Sequence, residues 1–487
     1  MSATDRTVRP STSGAIEWMS ATEVAASVRR RELSPVDVAR VMIERIEQVD
    51  RATRAFVYHD PDEVLADARR AERAVTSGDH LGPLHGVPYT VKDLQDVAGV
   101  PTTMGVPFMA DNVAPHSDVG TRRLEHAGGL FLGKTNTPEF GWRGICNNHL
   151  HGPTYNPWNL DRTPGGSSGG AAAAVAAGMG PLGDGSDGAG SIRIPASFCG
   201  VVGYKPSFGR IPFHPPMYGQ SIIHRGPLAR TVEDVALMAR VMAGPDLSDP
   251  HSSPRAPTDL SVDADLDTAD LCLGWSPDLG GLFEVEPVVR DRCESAVRAL
   301  ESELGARVVP SAPAWDDPTE VMWTMWRSFY GQLAHGVPVD EVRGMLDDEL
   351  IEMVIGGASV TVAELGRANA ARLLMWERTV EWFGHHDALV VPTLPCTAFA
   401  ADREHPVKVD GAPLRDRVLG WLMTYPFNLV PACPVVSVPC GFDDDGLPIG
   451  LSIVGRPGHD GAVLALAHRF EQVRPWREHV PASALRS

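Results

Sequence analysis

Residues 183–197 read GDGSDGAGSIRIPAS, and nine of these fifteen positions are Gly, Ala or Ser. A flexible linker is equally poor in large side chains, but it seldom continues into apolar residues such as Ile192 and Ile194. The pattern is typical of a segment in which the backbone must approach a ligand closely. A second run of this kind, TPGGSSGG, lies upstream at residues 163–170. The two runs together decide how the fold and the function are interpreted.

The composition is that of a globular protein with a sizeable core. The chain has 487 residues, of which 43% are hydrophobic and 22% charged, enough for one large domain or two to three ordinary ones. The formal net charge of −19 argues against nucleic acid as a partner, because phosphate binding requires a basic surface. We expect a monomer or a homodimer that does not bind nucleic acid.

The cysteine and histidine residues give no sign of a disulfide or metal framework. Seven cysteines are spread thinly, are odd in number and form no C-x-x-C motif. This favours a reducing compartment, so we expect a cytoplasmic protein. His149, His151 and the pair His385 and His386 have no carboxylate-rich context. We therefore predict neither a metal site nor another cofactor.

Two segments invite a membrane or targeting interpretation, and neither supports it. Residues 1–15 lack an apolar core, so we predict a disordered tail rather than a signal peptide. Residues 418–442 contain no charged side chain, but four prolines interrupt them and would break the helix that a lipid bilayer requires. We predict a buried loop and strand there, and no membrane partner.

Helices and strands alternate along the chain. The S-x-x-E box at Ser20 and Glu23 and the Ser34-Pro35 pair predict two helix starts. LHGVPYTV predicts a turn and a strand that ends at Lys92, and residues 171–177 predict a helix of very small residues. Such alternation, without internal repeats or a clear linker, predicts one α/β domain over residues 16–480, with a sheet covered by helices on both faces.

Residues 128–135, GGLFLGKT, match the phosphate-loop pattern G-x-x-x-x-G-K-[ST]. The match raises an alternative function, a nucleotide-binding enzyme that places Lys134 and Thr135 on phosphates and Mg²⁺. However, a phosphate loop follows a strand and opens a helix. Here a helix comes first, and the apolar residues inside the motif favour a buried strand. We regard this alternative as remote.

The two small-residue runs fit amide cleavage better. This reaction needs a nucleophile, a base, donors for the oxyanion and a way to protonate the amine. No G-x-S-x-G elbow is present, since Ser186 lies between Gly185 and Asp187. A lysine can replace histidine as the base if burial lowers its pKa. Lys92 is a candidate because it ends an apolar strand, and Asp93 or a neighbouring hydroxyl would orient it.

Several segments, in order and spacing, resemble the amidase signature family. They are GVPYTVKDL at 86–94, GGSSGG at 165–170 and DGAGSIRIPA at 187–196, with GKTNTPEF at 133–140, FCGVVGYKPSFGRI at 198–211, GPLARTVEDVALM at 226–238 and GLPIGLSIVG at 446–455. The resemblance covers about residues 20–475. It implies a central mixed β-sheet, a catalytic core over about 60–240 and 385–475, and a helical, aromatic-rich region over about 315–383 that caps the substrate.

The resemblance also implies the role of each site residue. Ser191 is the expected nucleophile, Ser167 the bridging serine on a cis peptide bond, and Lys92 the base. The expected oxyanion donors are the backbone N–H groups of Gly188, Ala189, Gly190 and Ser191. The expected supporting residues are Asp187, Arg193 and Ser168. Many members have T-G-G or G-G-G before the nucleophile where this chain has Gly-Ala-Gly, so a positive φ at Ala189 would be costly.

Two features indicate an apolar substrate. In glutamine-hydrolysing members of the family we expect an acidic residue at the position that Trp421 occupies here. The helix EVMWTMWRSFYGQL carries methionine and aromatic side chains over most of its circumference, more than one core-facing side requires, although core packing is the alternative for each single residue. The predicted pocket residues are therefore Trp326, Phe329, Tyr330 and Trp421.

These features predict a serine amidohydrolase for small apolar or aromatic amides, with carbamates and aryl esters as further substrates. The alternative within the family is the glutamine-hydrolysing subunit of an amidotransferase.

Overall fold

The computed structural model describes residues 16–213, 221–254, 256–263, 266–332 and 341–482. The tail predicted to be disordered, 1–15, lies outside the described residues, as do positions 333–340 of the predicted capping region. The strands are β1 (Phe56–Tyr58), β2 (Pro88–Lys92), β3 (Leu130–Thr135), β4 (Leu182–Asp187), β5 (Val202–Lys205), β6 (His224–Ala229), β7 (Cys272–Trp275), β8 (Arg307–Pro310), β9 (Ala388–Pro392), β10 (Lys408–Val409), β11 (Ala412–Pro413), β12 (Val435–Phe442) and β13 (Pro448–Gly455). The α-helices are α1 (Ala21–Arg29), α2 (Pro35–Thr53), α3 (Pro61–Ser77), α4 (Val119–His126), α5 (Gly169–Ala176), α6 (Arg193–Cys199), α7 (Val232–Met242), α8 (Pro287–Ser302), α9 (Thr319–Tyr330), α10 (Asp348–Gly357), α11 (Val362–Phe383), α12 (Pro426–Leu429) and α13 (Asp460–Val473).

Eleven of these strands form one sheet in the order β1-β3-β2-β4-β6-β5-β12-β13-β9-β7-β8. Strand β2 pairs in parallel with β3 and β4, whereas β4, β6, β5, β12, β13 and β9 pair successively in antiparallel fashion. Strands β7, β8 and β9 are again parallel neighbours. Helices α3, α5, α6, α7, α8 and α13 pack against the sheet. The predicted α/β fold with a central mixed sheet is confirmed.

Local sequence signals place three element boundaries correctly, the starts of α1 and α2 and the end of β2. Ser20 and Glu23 form a reciprocal capping box at α1, and the Ser34 hydroxyl accepts the N–H groups that open α2, where Pro35 is the first residue. The strand predicted to end at Lys92 does so. These features depend on hydrogen bonds and backbone angles within a few residues, so a local pattern is enough to predict them.

The small-residue run at 183–197 is more regular than its composition indicates. It consists of the end of β4, a short turn at 188–192 and the start of α6. Its residues are small because neighbouring elements approach closely. A Cβ added to Gly185 would lie 2.8 Å from the Ser168 hydroxyl. In α5, which is buried throughout, a Cβ added to Gly170 would lie 2.4 Å from the backbone nitrogen of Asn136.

The uncharged segment at 418–442 contains the short helix α12 in addition to the buried loop and strand that its sequence predicts. Its residues are almost all buried up to the last residues of β12. Across the described parts of the chain, none of the helices combines the length and apolarity that spanning a bilayer requires.

Close packing around α5 leads to a stability prediction. We expect Gly170→Ala to destabilise the protein by about 1–3 kcal/mol, because the new methyl group would meet backbone atoms of Asn136 and Ala55 that cannot rotate away. The shift of the urea unfolding midpoint measures the effect. Gly366→Ala is the matched control, since Gly366 lies in α11 with nothing within 4 Å of an added Cβ. It should stabilise the protein by about 0.5–1 kcal/mol. Equal effects of both substitutions would contradict the packing argument.

Candidate active site

Lys92 lies at the end of β2 and is completely buried. Its Nζ is 2.6 Å from the Oγ of Ser167 and 3.1 Å from the Oγ of Ser186, at hydrogen-bonding distance from both. Of the two expected ways of orienting Lys92, neighbouring hydroxyls are the one observed, because Asp93 instead pairs with Lys134. Ser186 as a partner of Lys92 is not predicted from the sequence, although the residue lies within the small-residue run.

Burial changes the proton affinity of this amine. Desolvation lowers the pKa of Lys92 from its ordinary value to about 7, and it outweighs the opposing effect of Cys146, Asp184 and Asp187. A large fraction of Lys92 is therefore neutral at physiological pH. A neutral amine that contacts a hydroxyl can accept its proton, which is the property that a general base needs.

The two small-residue runs meet beside Lys92. The peptide bond between Gly166 and Ser167 is cis, as the family resemblance implies. The next residue, Ser168, donates its backbone N–H to the carbonyl of Ser191 at 3.0 Å. Ser168 also exchanges hydrogen bonds with the backbone of Ser186 through its hydroxyl, at 3.3 Å each. Ser191 is 8% exposed, compared with 1% for Ser167 and 0% for Lys92, so it is the most accessible of the three to a substrate.

The turn before Ser191 presents backbone donors. The N–H of Gly190 donates to the Asp187 carboxylate at 2.7 Å and is therefore occupied. Among the described residues, no protein acceptor takes the N–H of Ala189 or of Ser191. The positive φ of this turn, 122°, falls on Gly190, where a Cβ would lie 1.9 Å from the Thr424 hydroxyl. Ala189 does not adopt a positive φ, so the cost considered for it does not arise.

A buried ion pair stabilises this turn. Asp187 and Arg193 are both 0% exposed and form a two-point contact, with the Arg193 Nε and Nη2 atoms at 2.9 and 2.8 Å from the two carboxylate oxygens. Burial alone would raise the pKa of Asp187, but Arg193 holds this pKa well below its usual range. The predicted pairing of the two residues is present. It keeps a negative charge that organises the turn.

A distant segment completes this network. The Thr424 hydroxyl donates to the carbonyl of Ala189 at 2.6 Å, and the Asn428 side-chain amide donates to the Asp187 carboxylate at 2.9 Å. Arg193 in turn donates to the Thr424 carbonyl at 2.9 Å and to the Asn428 side-chain oxygen at 2.7 Å. Sequence reasoning misses both residues, which are over 200 positions from the turn. The local signal is limited to Asn428, a side-chain amide within a stretch that has no charged residue.

The phosphate-loop pattern does not form a phosphate loop. Residues 130–135 form strand β3, and Lys134 is buried within it. Its Nζ lies 3.2 Å from the Asp93 carboxylate and donates to the Gln95 carbonyl at 2.7 Å and to the Thr102 hydroxyl at 2.9 Å. These contacts give Lys134 a structural role. The nucleotide-binding alternative therefore has no support from the fold.

The predicted pocket residues lie in two aromatic clusters. Trp326 and Tyr330 are buried in α9 with their ring centroids 6.5 Å apart, and the half-buried Phe329 contacts Tyr330 at 4.8 Å. Trp421 is buried, stacked on Phe198 with centroids 6.1 Å apart. Within the described residues the Trp421 indole nitrogen has no hydrogen-bond partner. The placement of these four side chains against a substrate stays a prediction.

Comparison with known proteins agrees with the geometry. A protein-family model described as "Amidase" matches residues 37–464. The chain is 46% identical to an acylamidase from Rhodococcus erythropolis, in an alignment of 479 residues that covers 96% of this chain and 98% of that protein. It is 35% identical to a glutamyl-tRNA(Gln) amidotransferase subunit from Symbiobacterium thermophilum, over 93% of this chain and 96% of that protein. The crystal structure of a bacterial aryl acylamidase of the amidase signature family superposes with a TM-score of 0.90 at 32% identity, over 97% of this chain and 99% of that one.

Proposed function

The chain belongs to the amidase family and is an amide-hydrolysing enzyme, and we propose that it breaks the C–N bond through an acyl-enzyme formed on Ser191. The observation that supports this most directly is the buried contact between the Lys92 amine and the Ser167 hydroxyl at 2.6 Å. It places an amine whose pKa burial lowers to about 7 against Ser167. The next residue, Ser168, donates its backbone N–H to the carbonyl of Ser191.

The proposed reaction is a proton relay. Neutral Lys92 takes the proton of the Ser167 hydroxyl, which takes the proton of Ser191 as the Ser191 Oγ attacks the substrate carbonyl. The relay then runs in reverse and protonates the departing nitrogen, so that a neutral amine leaves. Water, deprotonated by the same relay, hydrolyses the ester on Ser191 and restores the enzyme.

The proposed oxyanion site consists of the backbone N–H groups of the turn that ends at Ser191. In the described structure the N–H groups of Ala189 and Ser191 lack protein acceptors, and we propose that they receive the developing negative charge. Gly188 is a third candidate donor. The Gly190 N–H instead anchors the turn on Asp187. The Asp187–Arg193 pair and the Thr424 hydroxyl fix the turn through hydrogen bonds. The backbone donors therefore need little reorganisation as negative charge develops on the substrate oxygen.

For the substrate class we propose small amides with an apolar or aromatic group, and carbamates and aryl esters as further substrates. The similarity to an acylamidase at 46% identity, above the 35% identity to the amidotransferase protein, supports this class. So does Trp421, an apolar buried ring at the position where we expect an acid in glutamine-hydrolysing members. An unpaired substrate ammonium group beside this ring would be costly to bury.

We propose that the enzyme is a cytoplasmic monomer or homodimer without a nucleic-acid partner. The net charge of −19 and the seven cysteines, all of them free thiols, support this proposal.

The first test concerns the nucleophile. We expect Ser191→Ala to lose at least about 10³-fold in kcat/KM and to lose labelling by a fluorophosphonate probe, because the attacking oxygen is gone. Ser197→Ala is the matched control, since the Ser197 hydroxyl donates no proton in the proposed relay. Mass spectrometry of the labelled protein identifies the modified residue. Labelling that persists in Ser191→Ala would refute the assignment.

The second test concerns the base. If neutral Lys92 is required, kcat/KM should rise with pH through an apparent pKa of about 7 and then level off, because lysine loses its proton as pH increases. Lys92→Ala should lose about 10²–10⁴-fold and flatten this rise. Lys205 offers a sharp control, because burial also lowers its pKa to about 7. Its Nζ bonds to the carbonyl of Cys433 at 2.8 Å and not to either proposed catalytic serine. Lys205→Met should keep the rise, and the opposite pattern would make Lys205 the titrating group.

The third test concerns the substrate class. A panel of p-nitroanilides, aryl carbamates, aliphatic amides and free glutamine should give the highest kcat/KM for aryl substrates, then carbamates, with glutamine near background. A tenfold preference requires the pocket to dry only about 55 Å² more apolar surface, at roughly 25 cal/mol per Å². Phe329→Ala and Trp326→Ala should reduce the aryl preference. An unchanged preference in both variants would mean that the α9 aromatic cluster belongs to the hydrophobic core and does not contact the substrate. Glutamine turnover that rises when partner subunits are added would favour the amidotransferase alternative.

A further inference from the structure

Folding brings together two cysteines that are 147 positions apart in the sequence. The Sγ atoms of Cys293, on α8, and Cys440, on β12, lie 3.7 Å apart. Both are free thiols, and neither takes part in the relay proposed at Ser191. Two thiols in contact differ from a single buried cysteine, because their sulfur atoms can form a covalent bond with each other.

The two thiols differ in their access to solvent. Cys440 is half-buried, whereas Cys293 and the other five cysteines are buried. Burial raises the pKa of the Cys293 thiol well above its ordinary value, and the neighbouring Cys440 thiol adds to this effect. Cys293 therefore keeps its proton and is shielded from water, so that a small dissolved oxidant meets Cys440 first.

Cys440 occupies an irregular position in its strand. It lies at a β-bulge, because the register of β12 against β13 shifts between Pro439 and Gly441. A bulge changes the direction of the side chain that it contains. The Cys440 thiol is 3.4 Å from the carbonyl of Ile449 on β13, and the Cys293 thiol is 3.9 Å from the carbonyl of the next residue of that strand. Both sulfur atoms thus lie beside the same part of β13.

The backbones of α8 and β12 are held together beside the thiols. Arg292, which precedes Cys293, donates its Nε–H to the carbonyl of Phe442 at 2.9 Å. A Cβ added to Gly441 would lie 3.3 Å from the Arg292 side chain, so the helix packs directly on the strand there. A disulfide holds its sulfur atoms about 2 Å apart. Rotation about the Cα–Cβ bonds of the two cysteines, rather than movement of the helix, has to supply the remaining approach.

We propose that Cys293 and Cys440 form a redox-active pair that a hydroperoxide converts into an intramolecular disulfide. In the first step the Cys440 sulfur attacks hydrogen peroxide: an S–O bond forms, the O–O bond breaks and water leaves. In the second step the Cys293 sulfur attacks the Cys440 sulfur: an S–S bond forms, the S–O bond breaks, and the displaced hydroxide takes the Cys293 proton and leaves as a second water. The two thiols together lose two electrons, which reduce one peroxide to two waters.

This chemistry is compatible with a reducing compartment. There the pair remains as two thiols until an oxidant appears, and thiol reductants restore it afterwards. The disulfide stops the oxidation of Cys440 before the irreversible sulfinic acid forms. It also closes a loop across 147 positions, which restricts the unfolded chain and should raise the melting temperature. The proposal is independent of the serine chemistry, because no cysteine takes part in that relay.

The test treats the reduced full-length protein with hydrogen peroxide, alkylates the remaining thiols in denaturant and maps the peptides by mass spectrometry. We expect one cross-linked product that joins the peptides of Cys293 and Cys440, is two hydrogens lighter than their sum and is separated by dithiothreitol. Cys272→Ser removes a buried cysteine outside the pair and should leave this product unchanged. The oxidised wild-type protein should melt above the reduced protein, and peroxide should cause no such rise in Cys293→Ser.

The order of the two steps is tested with dimedone, which labels sulfenic acids. In Cys293→Ser the oxidation of Cys440 should stop at the sulfenic acid, because its partner thiol is missing. In Cys440→Ser the remaining Cys293 is buried and should react poorly. We expect at least about tenfold more dimedone on Cys440 in the first variant than on Cys293 in the second.

Four results would overturn the proposal. They are two thiols that both remain open to alkylation after peroxide treatment, a wild-type Cys440 that reaches the sulfinic acid without a cross-link, equal dimedone labelling in the two variants, and a cross-linked protein that melts below the reduced one. The last result would mean that the packing of α8 on β12 does not accommodate the bond. Peptide mapping of the wild-type protein decides the central claim even if a variant does not fold.

Discussion

The contact between the Lys92 amine and the Ser167 hydroxyl requires a part of the interior that excludes water and still supplies hydrogen-bond partners. Burial makes the charged form of lysine costly and lowers the pKa to about 7, while hydroxyls at 2.6 and 3.1 Å satisfy the neutral amine without restoring its charge. A carboxylate in the position of either hydroxyl would stabilise the protonated amine. The arrangement of β2, β4 and the two small-residue runs can be understood as the means of bringing two serines, and no acid, to this amine.

Three buried lysines show how the partner determines the state of the same side chain. Burial lowers the pKa of Lys92, Lys134 and Lys205 alike. Lys134 lies 3.2 Å from Asp93, which opposes this effect and favours its charged form. Lys205 bonds to carbonyl groups and faces His224 at 3.4 Å, with the charge of Arg193 further disfavouring its protonation. Lys134 also contacts a hydroxyl, that of Thr102, but among these three lysines only Lys92 contacts serine hydroxyls, so only Lys92 is placed to act as a base on a serine.

The turn that carries Ser191 depends on charge rather than on apolar packing. The Asp187 carboxylate receives hydrogen bonds from Gly190, Arg193 and Asn428, and it remains ionised although it is fully buried. Removing one partner of such a group leaves an uncompensated buried charge, which costs about 3–5 kcal/mol. The same carboxylate therefore accounts for both the rigidity of the turn and its need for partners from the distant segment at 424–428.

Much of this protein can be predicted from its sequence, because helix caps, strand ends and ordered motifs depend on neighbouring residues. The α/β class, the strand that ends at Lys92, and the resemblance that pointed to Ser167 and Ser191 are of this kind. The tertiary structure alone determined that Ser186 is the second partner of Lys92, that Asp93 belongs to Lys134, and that Thr424 and Asn428 hold the turn. Sheet order brings these residues together across as many as 241 positions, a proximity that no local pattern encodes.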